Sequence, residues 1–283
     1  MATILPVGVQ AKYFAKIETT YNTNSGFAGT TAVPLINLEI TPTYEFHASK
    51  ERVGTASLQR EVAGIKGGTW SASMYAKPNG TTVTVAPDVG EILKAAFGDE
   101  NTSGDVTYRM HDGTNEVTTP LSLQIARHAG NAFYEVINGA WVEQVDLEIV
   151  GNAETVINVS GGFASYGWCY GGQINTTHST SDTTIQLKSS TSERVGVGAR
   201  IQFSDGEDNG GAGYHVTAVD NTTDIMTISP GLAGNVGGDT LVYPLTPAQT
   251  LTDNNPLGGV GCGLTIGGTA VGLISFKCSM KTG

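Results

Sequence analysis

Residues 54–100 read GTASLQREVAGIKGGTWSASMYAKPNGTTVTVAPDVGEILKAAFGDE. Two strand-like runs flank a glycine-rich turn, a loop follows, and one helix closes the segment. Pro87 suits a first helical position, where its missing N–H is not needed. Asp88 and Glu91 put negative charge near the first turn, against the positive end of the helix dipole. Val89, Ile92, Leu93, Ala96 and Phe97 fall at i, i+3, i+4, i+7 and i+8, a single apolar stripe. Gly98 is a natural stop. The spacing predicts a helix over 87–97, roughly 16 Å long. At that length it does not stand alone in water and must lie on a sheet.

Outside this segment the pattern is β. Ile36, Leu38 and Ile40 share one face of a short run, with Asn37 and Glu39 opposite. Trp70, Ala72, Met74 and Ala76 alternate with Ser71, Ser73, Tyr75 and Lys77, as in a sheet with one buried face. Asn138-Gly139, between AFYEVI and AWVEQVDLEIV, predicts a two-residue hairpin turn. In its second strand Trp141, Val145, Leu147 and Ile149 share a face. Gln144, Asp146 and Glu148 share the other, which either lines a lumen or is a solvated exterior. Residues 21–31, YNTNSGFAGTT, are polar and aperiodic, a long loop or arm. From residue 166 to about 250 short strands at 184–188, 200–204, 214–219, 224–229 and 239–243 alternate with turn clusters, as in a small barrel. Residues 165–172 and 244–256 read as its linkers. The run after 258 alternates again and reads as a hairpin returning to the first sheet.

The order strand, glycine turn, strand ending Lys77-Pro78-x-Gly80, then Ala86-Pro87-Asp88 and a helix ending Ala95-Ala96-Phe97-Gly98 resembles the tail tube proteins of long, non-contractile-tailed bacteriophages. The likeness is clearest over 41–151 and recurs weakly over 258–280. It implies an all-β fold with one short flanking α-helix: a tail-tube β-sandwich from 1–165 and 251–283, with 166–250 as an inserted SH3-like barrel. It implies a structural virion protein in the phage tail, assembled in the host cytoplasm. Copies would form rings, usually of six, stacked into a passive channel for DNA. The partners implied are further copies, the tape measure protein, and tail terminator or tip proteins. On this reading Gln144, Asp146 and Glu148 are candidate lumen residues. Tyr21, Asn22, Asn24, Phe27, Arg52, Arg60 and Glu61 are candidate inter-subunit contacts.

Composition agrees with such a role. Charged residues make up 14% of the 283-residue chain, against the ~25% usual for soluble domains. Its 38 glycines and neutral polar surface suit close packing between copies. A net charge of −11 without a Lys/Arg cluster argues against sequence-independent DNA binding, which requires displacing counterions. It permits a conduit that DNA does not stick to. Three cysteines, Cys169, Cys262 and Cys278, fit no metal spacing and read as reduced thiols. No run approaches the ~20 apolar residues of a membrane span.

Catalytic and metal-binding patterns are weak. Residues 205–210, DGEDNG, partly mimic a calcium loop, but Val216 stands where the EF-hand glutamate belongs. His47, His111, His128, His178 and His215 are scattered, which argues against zinc. No Gly-x-Ser-x-Gly elbow is present. The expectation is a non-enzyme with neither metal nor cofactor. Two alternatives stay open: a carbohydrate- or receptor-binding protein using Tyr166, Trp168 and Tyr170 as a stacking platform, and a glycosidase using paired carboxylates such as Glu143 with Asp146.

Overall fold

The computed structural model describes residues 11–48, 61–78, 85–110, 121–130, 132–151, 153–251, 255–258, 263–266, 269–272 and 275–281. Two antiparallel sheets form a sandwich. One has four strands: β1 (Lys12–Ile17), β6 (Leu123–Ala129), β7 (Phe133–Ala140) and β10 (Ser165–Cys169), in the order β1-β6-β7-β10. The other has five: β2 (Leu35–Ala48), β3 (Glu61–Tyr75), β8 (Gln144–Val150), β9 (Val156–Phe163) and β19 (Ser275–Lys281), in the order β19-β8-β9-β3-β2. Between them lie Leu38, Trp70, Met74, Leu123, Ile125, Ile137 and Val159, all buried. The one α-helix among the described residues, α1 (Gly90–Phe97), adds Ile92 and Ala96 to this core, with Val89 just before it, as its stripe requires. It begins at Gly90 rather than Pro87, because residues 87–90 form a turn closed by Gly90 N–H donating to Pro87 O at 2.7 Å. Gly98, at φ +96°, ends it and donates to Lys94 O.

A six-stranded sheet follows: β11 (Gly172–Gln173), β12 (Thr184–Gln186), β13 (Arg200–Phe203), β14 (Tyr214–Asp220), β15 (Ile225–Ser229) and β16 (Leu241–Pro244), in the order β11-β16-β13-β14-β15-β12. A bridge between Ile174 and Leu187 joins its two outer strands and closes it into a barrel. The barrel core of Ile185, Ile201, Tyr214, Val216, Met226 and Val242 also takes in Ala126, Tyr134, Val136 and Cys169 from the sandwich. The four-stranded sheet is therefore buried on both faces, and β6 and β7 are buried without alternation. Two hairpins complete the described elements: β4 (Gly98–Asn101) with β5 (Thr107–Met110), and β17 (Gly263–Ile266) with β18 (Thr269–Gly272).

Four expectations are corrected. The glycine-rich turn is absent: β3 runs straight through Gly67 and Gly68. A Cβ on Gly68 would stand 2.3 Å from Thr41 O and 2.5 Å from the Phe163 ring, so this glycine is there for close approach. Asn138-Gly139 makes no hairpin. Both lie inside β7, and the chain crosses through 141–143 into the other sheet. Gly139, at φ +60°, instead lets its N–H reach Glu18 Oε1 at 2.8 Å. Residues 165–169 are a sandwich strand and not a linker. Ile36 points outward, 47% exposed, because a bulge between Leu35 and Asn37 shifts the register and turns Leu35 to the core.

Candidate assembly surface

The register aligns polar side chains across all five strands of the larger sheet, on the face away from the core. One row runs Asn37, Ser73, Asn158, Asp146, Ser279, and the next Glu39, Ser71, Ser160, Gln144, Lys281. Gln144, Asp146 and Glu148 thus lie on one face, as their alternation required. Ser73 Oγ donates to Asn158 Oδ1 at 2.7 Å, and Gln144 Nε2 to Asp146 Oδ2 at 2.9 Å. Ser279 Oγ also donates to Asp146. The hydrogen bonds from Ser279 and then Gln144 hold the Asp146 carboxyl below its usual range. The face is not acidic, however. Lys277 stands opposite Glu148 and Lys281 opposite Gln144, and both lysines come from a strand distant in sequence.

The two sheets differ at their edges. On β1, Tyr13 O accepts from Val33 N–H at 3.0 Å, and Ile17 N–H donates to Glu91 Oε2 at 3.0 Å. On β10, Trp168 O accepts from Gly196 N–H at 2.7 Å, and Tyr170 N–H donates to Arg194 O at 2.8 Å. The four-stranded sheet is thus capped by its own chain. The five-stranded sheet is not capped among the described residues: the outer edge of β19 meets no backbone partner there, and beyond its pairing with β3, β2 offers Leu38 O to Arg127 Nη1 at 3.2 Å and, at its start, Leu35 N–H to Val33 O at 3.1 Å. Pro42 lies within β2 and has no N–H to offer. Glu39 is exposed on β2, and Lys277 and Lys281 are exposed on β19, so the two open edges carry opposite charge.

The 21–31 arm packs back on its own chain. Asn24 is 5% exposed; its Nδ2 donates to Gly198 O and to Tyr134 Oη, and its Oδ1 accepts from Gly26 N–H at 2.9 Å. Phe27 packs on Phe14 with ring centres 5.7 Å apart. Asn22 N–H donates to Glu18 Oε2 at 2.8 Å, and Asn22 Oδ1 accepts from Ser165 Oγ. The arm thus ties the sandwich to the barrel; of its four candidate contacts Tyr21, 53% exposed, and Asn22 lie at the surface, while Asn24 is buried and Phe27 half-buried. Glu61 begins β3; Arg52 and Arg60 lie outside the described residues.

Glu18 organises this junction and carried no sequence signal. At 2% exposure its carboxylate accepts from Asn22 N–H, Gly139 N–H and, at 2.6 Å, Ser122 Oγ. A second buried knot joins Arg127 to Glu135 across β6 and β7, with Tyr166 Oη donating to Glu135 Oε1 at 2.6 Å. Burial, and then that carboxylate, push the Tyr166 phenol well above its usual value.

The aromatic platform is packed. Tyr166 and Trp168 are half-buried and stacked, ring centres 5.5 Å apart, and Gly196 sits so close that a Cβ there would be 2.6 Å from the indole. Glu143 accepts from Trp141 Nε1 at 2.8 Å, outside the row that holds Asp146. In the 205–210 turn, Asp205 and Asp208 accept from backbone N–H groups of their own loop. Among the described residues no group of three or more His, Cys, Asp or Glu side chains is arranged to hold a metal ion.

No family model matches the chain, and no curated protein does. Among solved structures, one titled "Structure of a type six secretion system protein" is similar at 8% identity and a TM-score of 0.29, over 57% of this chain and 85% of that one. Another, "Crystal structure of Hcp protein", is similar at 11% identity and a TM-score of 0.26, over 56% and 91%. Both TM-scores are too low for either likeness to assign a function.

Proposed function

We propose that the chain is a non-catalytic structural subunit that closes into rings through the open edges of its five-stranded sheet. The observation that carries this is the contrast between the two sheets: among the described residues, one is capped on both sides by its own chain, the other on neither. An exposed 14-residue edge strand such as β2 is a template for pairing. Joining β2 of one copy to β19 of the next extends the sheet, and a closed ring leaves no edge.

Five antiparallel strands are an odd number, so β2 and β19 run the same way. Rotation about a ring axis therefore joins them as a parallel pair, with evenly spaced, slanted hydrogen bonds. At the usual strand spacing each copy contributes about 24 Å of circumference. With the six copies that the resemblance to tail tube proteins implies, the sheet cylinder is about 46 Å across before strand tilt is counted.

The inner surface is then a band of Ser, Asn, Thr and Gln with its few charges nearly balanced. Such a wall gives a polyanion neither clustered cations to bind nor a strong field to oppose it. In this reading the chain is a tail tube subunit of a bacteriophage. Its stacked rings pass DNA and enclose a tape measure protein. Negative-stain microscopy of the purified protein tests the proposal. Rings or hollow tubes of uniform bore are expected, and strictly monomeric particles at high concentration would overturn it.

A further inference from the structure

A cavity of about 310 Å³ opens where the arm meets both cores, and Lys16, Phe27, His128, Tyr134 and Arg200 line it. It is rich in donors. Lys16 lies over the Phe27 ring, 5.7 Å from its centre, and has no carboxylate partner among the described residues. The nearest acid acting on it, Glu18, is already committed to three hydrogen bonds. Arg200 Nη1 donates to Ala212 O at 2.8 Å, while its buried Nε has no partner. Tyr134 Oη accepts from Asn24, and its own proton has no acceptor among the described residues. In a chain with 26 acidic and 15 basic side chains, two cations sharing one cavity with no acid among the described residues that line it suit an anion.

His128 narrows the choice of anion. It is 1% exposed, and its Nδ1 lies 3.2 Å from Thr246 Oγ1. Thr246 Oγ1 also lies 3.1 Å from Gly130 O, which can only accept; with its proton given there, Nδ1 is the ring's donor, and the buried Nε2 lone pair is an acceptor without a partner among the described residues. An anion suited to both the cations and that lone pair carries negative oxygens and an acidic hydrogen of its own. We propose that this cavity binds a phosphate group, free or as a monoester, held by Lys16, Arg200 and the Tyr134 hydroxyl, with a P–O–H turned to His128. The bound group would lock arm, sandwich and barrel together, which raises the stability of the folded state.

Thermal unfolding and isothermal titration with inorganic phosphate, glycerol 3-phosphate and sulfate, at ionic strength matched with sodium chloride, test this. Inorganic phosphate or the monoester is expected to raise Tm by about 3 °C or more near saturation, and whichever is tighter names the source. Lys16→Met keeps the stem on Phe27 and removes the charge; it is expected to weaken phosphate about tenfold. Tyr134→Phe checks the hydroxyl independently. Sulfate matching phosphate, no response beyond chloride, or unchanged phosphate affinity in Lys16→Met would each overturn the proposal.

Discussion

Charge reversal at the two open edges separates assembly from folding. Glu39 on β2 and Lys281 on β19 end the same cross-strand row, so extending that row from copy to copy sets them side by side. Both are exposed, and neither has an ion-pair partner among the described residues. Glu39→Lys should therefore change the stability of a single copy by no more than about 0.5 kcal/mol. At the junction an exposed opposite-charge pair contributes roughly 0.2–1 kcal/mol, and a like-charge pair opposes by a similar amount. Reversal thus swings each junction by up to about 2 kcal/mol, or about thirtyfold in its association constant. The critical concentration, measured by sedimentation at low salt, should rise accordingly. Lys281→Glu should do the same, and the double variant should return close to the parent. At about 1 M salt, where the screening length is near 3 Å, the differences should collapse. Assembly of Glu39→Lys at the parent's critical concentration, or a double variant no better than either single one, would refute the pairing of these edges.

Three further outcomes concern the fold. Glu18→Ala strands the buried N–H groups of Asn22 and Gly139 and the Ser122 hydroxyl; urea unfolding should show a loss of about 3 kcal/mol or more. Gly68→Ala places a Cβ 2.3 Å from Thr41 O within the β2–β3 ladder, and should lose at least about 2 kcal/mol by the same assay. Burial, and then Lys12, hold the His128 imidazole down at about 3. Below pH ~6.5 the unfolded chain takes up a proton there that the folded chain refuses. Stability should therefore fall as pH drops from ~6.5 toward 3, by up to about 1.4 kcal/mol per unit. Above that window His128 contributes no slope, and replacing it with Gln should flatten the profile.

Periodicity made most of the strands legible because one face of each is buried. Trp70, Ala72 and Met74 alternate cleanly with serines and lie where the pattern put them. The barrel strands were also readable, since each is bounded by turn residues. Local pattern failed where long-range contact decided the backbone. Gly67 and Gly68 look like a turn, yet close approach to Phe163, on a strand far from β3 in sequence, and of Gly68 to Thr41 on β2 explains them. Asn138-Gly139 carries a strong turn signal, yet Glu18, more than a hundred residues earlier, makes another use of it. The polar face shows the same limit. Asp146 and Glu148 read as acidic while β8 stands alone, and the neutralising lysines arrive only when β19 docks on it.

The distribution of mass and charge favours a ring over the alternatives. Pairing β2 with β2 across a two-fold axis would bring Glu39 of each copy onto one antiparallel seam, and pairing β19 with β19 would gather Lys277 and Lys281 of both. Each raises like-charge repulsion that the head-to-tail seam avoids. Head-to-tail contacts either close or run on as an open helix, and the shape of the subunit bears on which. The apolar face of the five-stranded sheet carries the four-stranded sheet and the helix, and the barrel packs beyond them. The opposite face carries single polar side chains, from Ser73 and Asn158 to Gln144 and Lys281, and among the described residues no further layer packs on it. Copies this wide on one side and thin on the other pack without gaps only when the thin side is concave. In the proposed ring the direction of closure follows from where the bulk sits, which would set Ser73, Asn158, Asp146 and Ser279 on the inner wall.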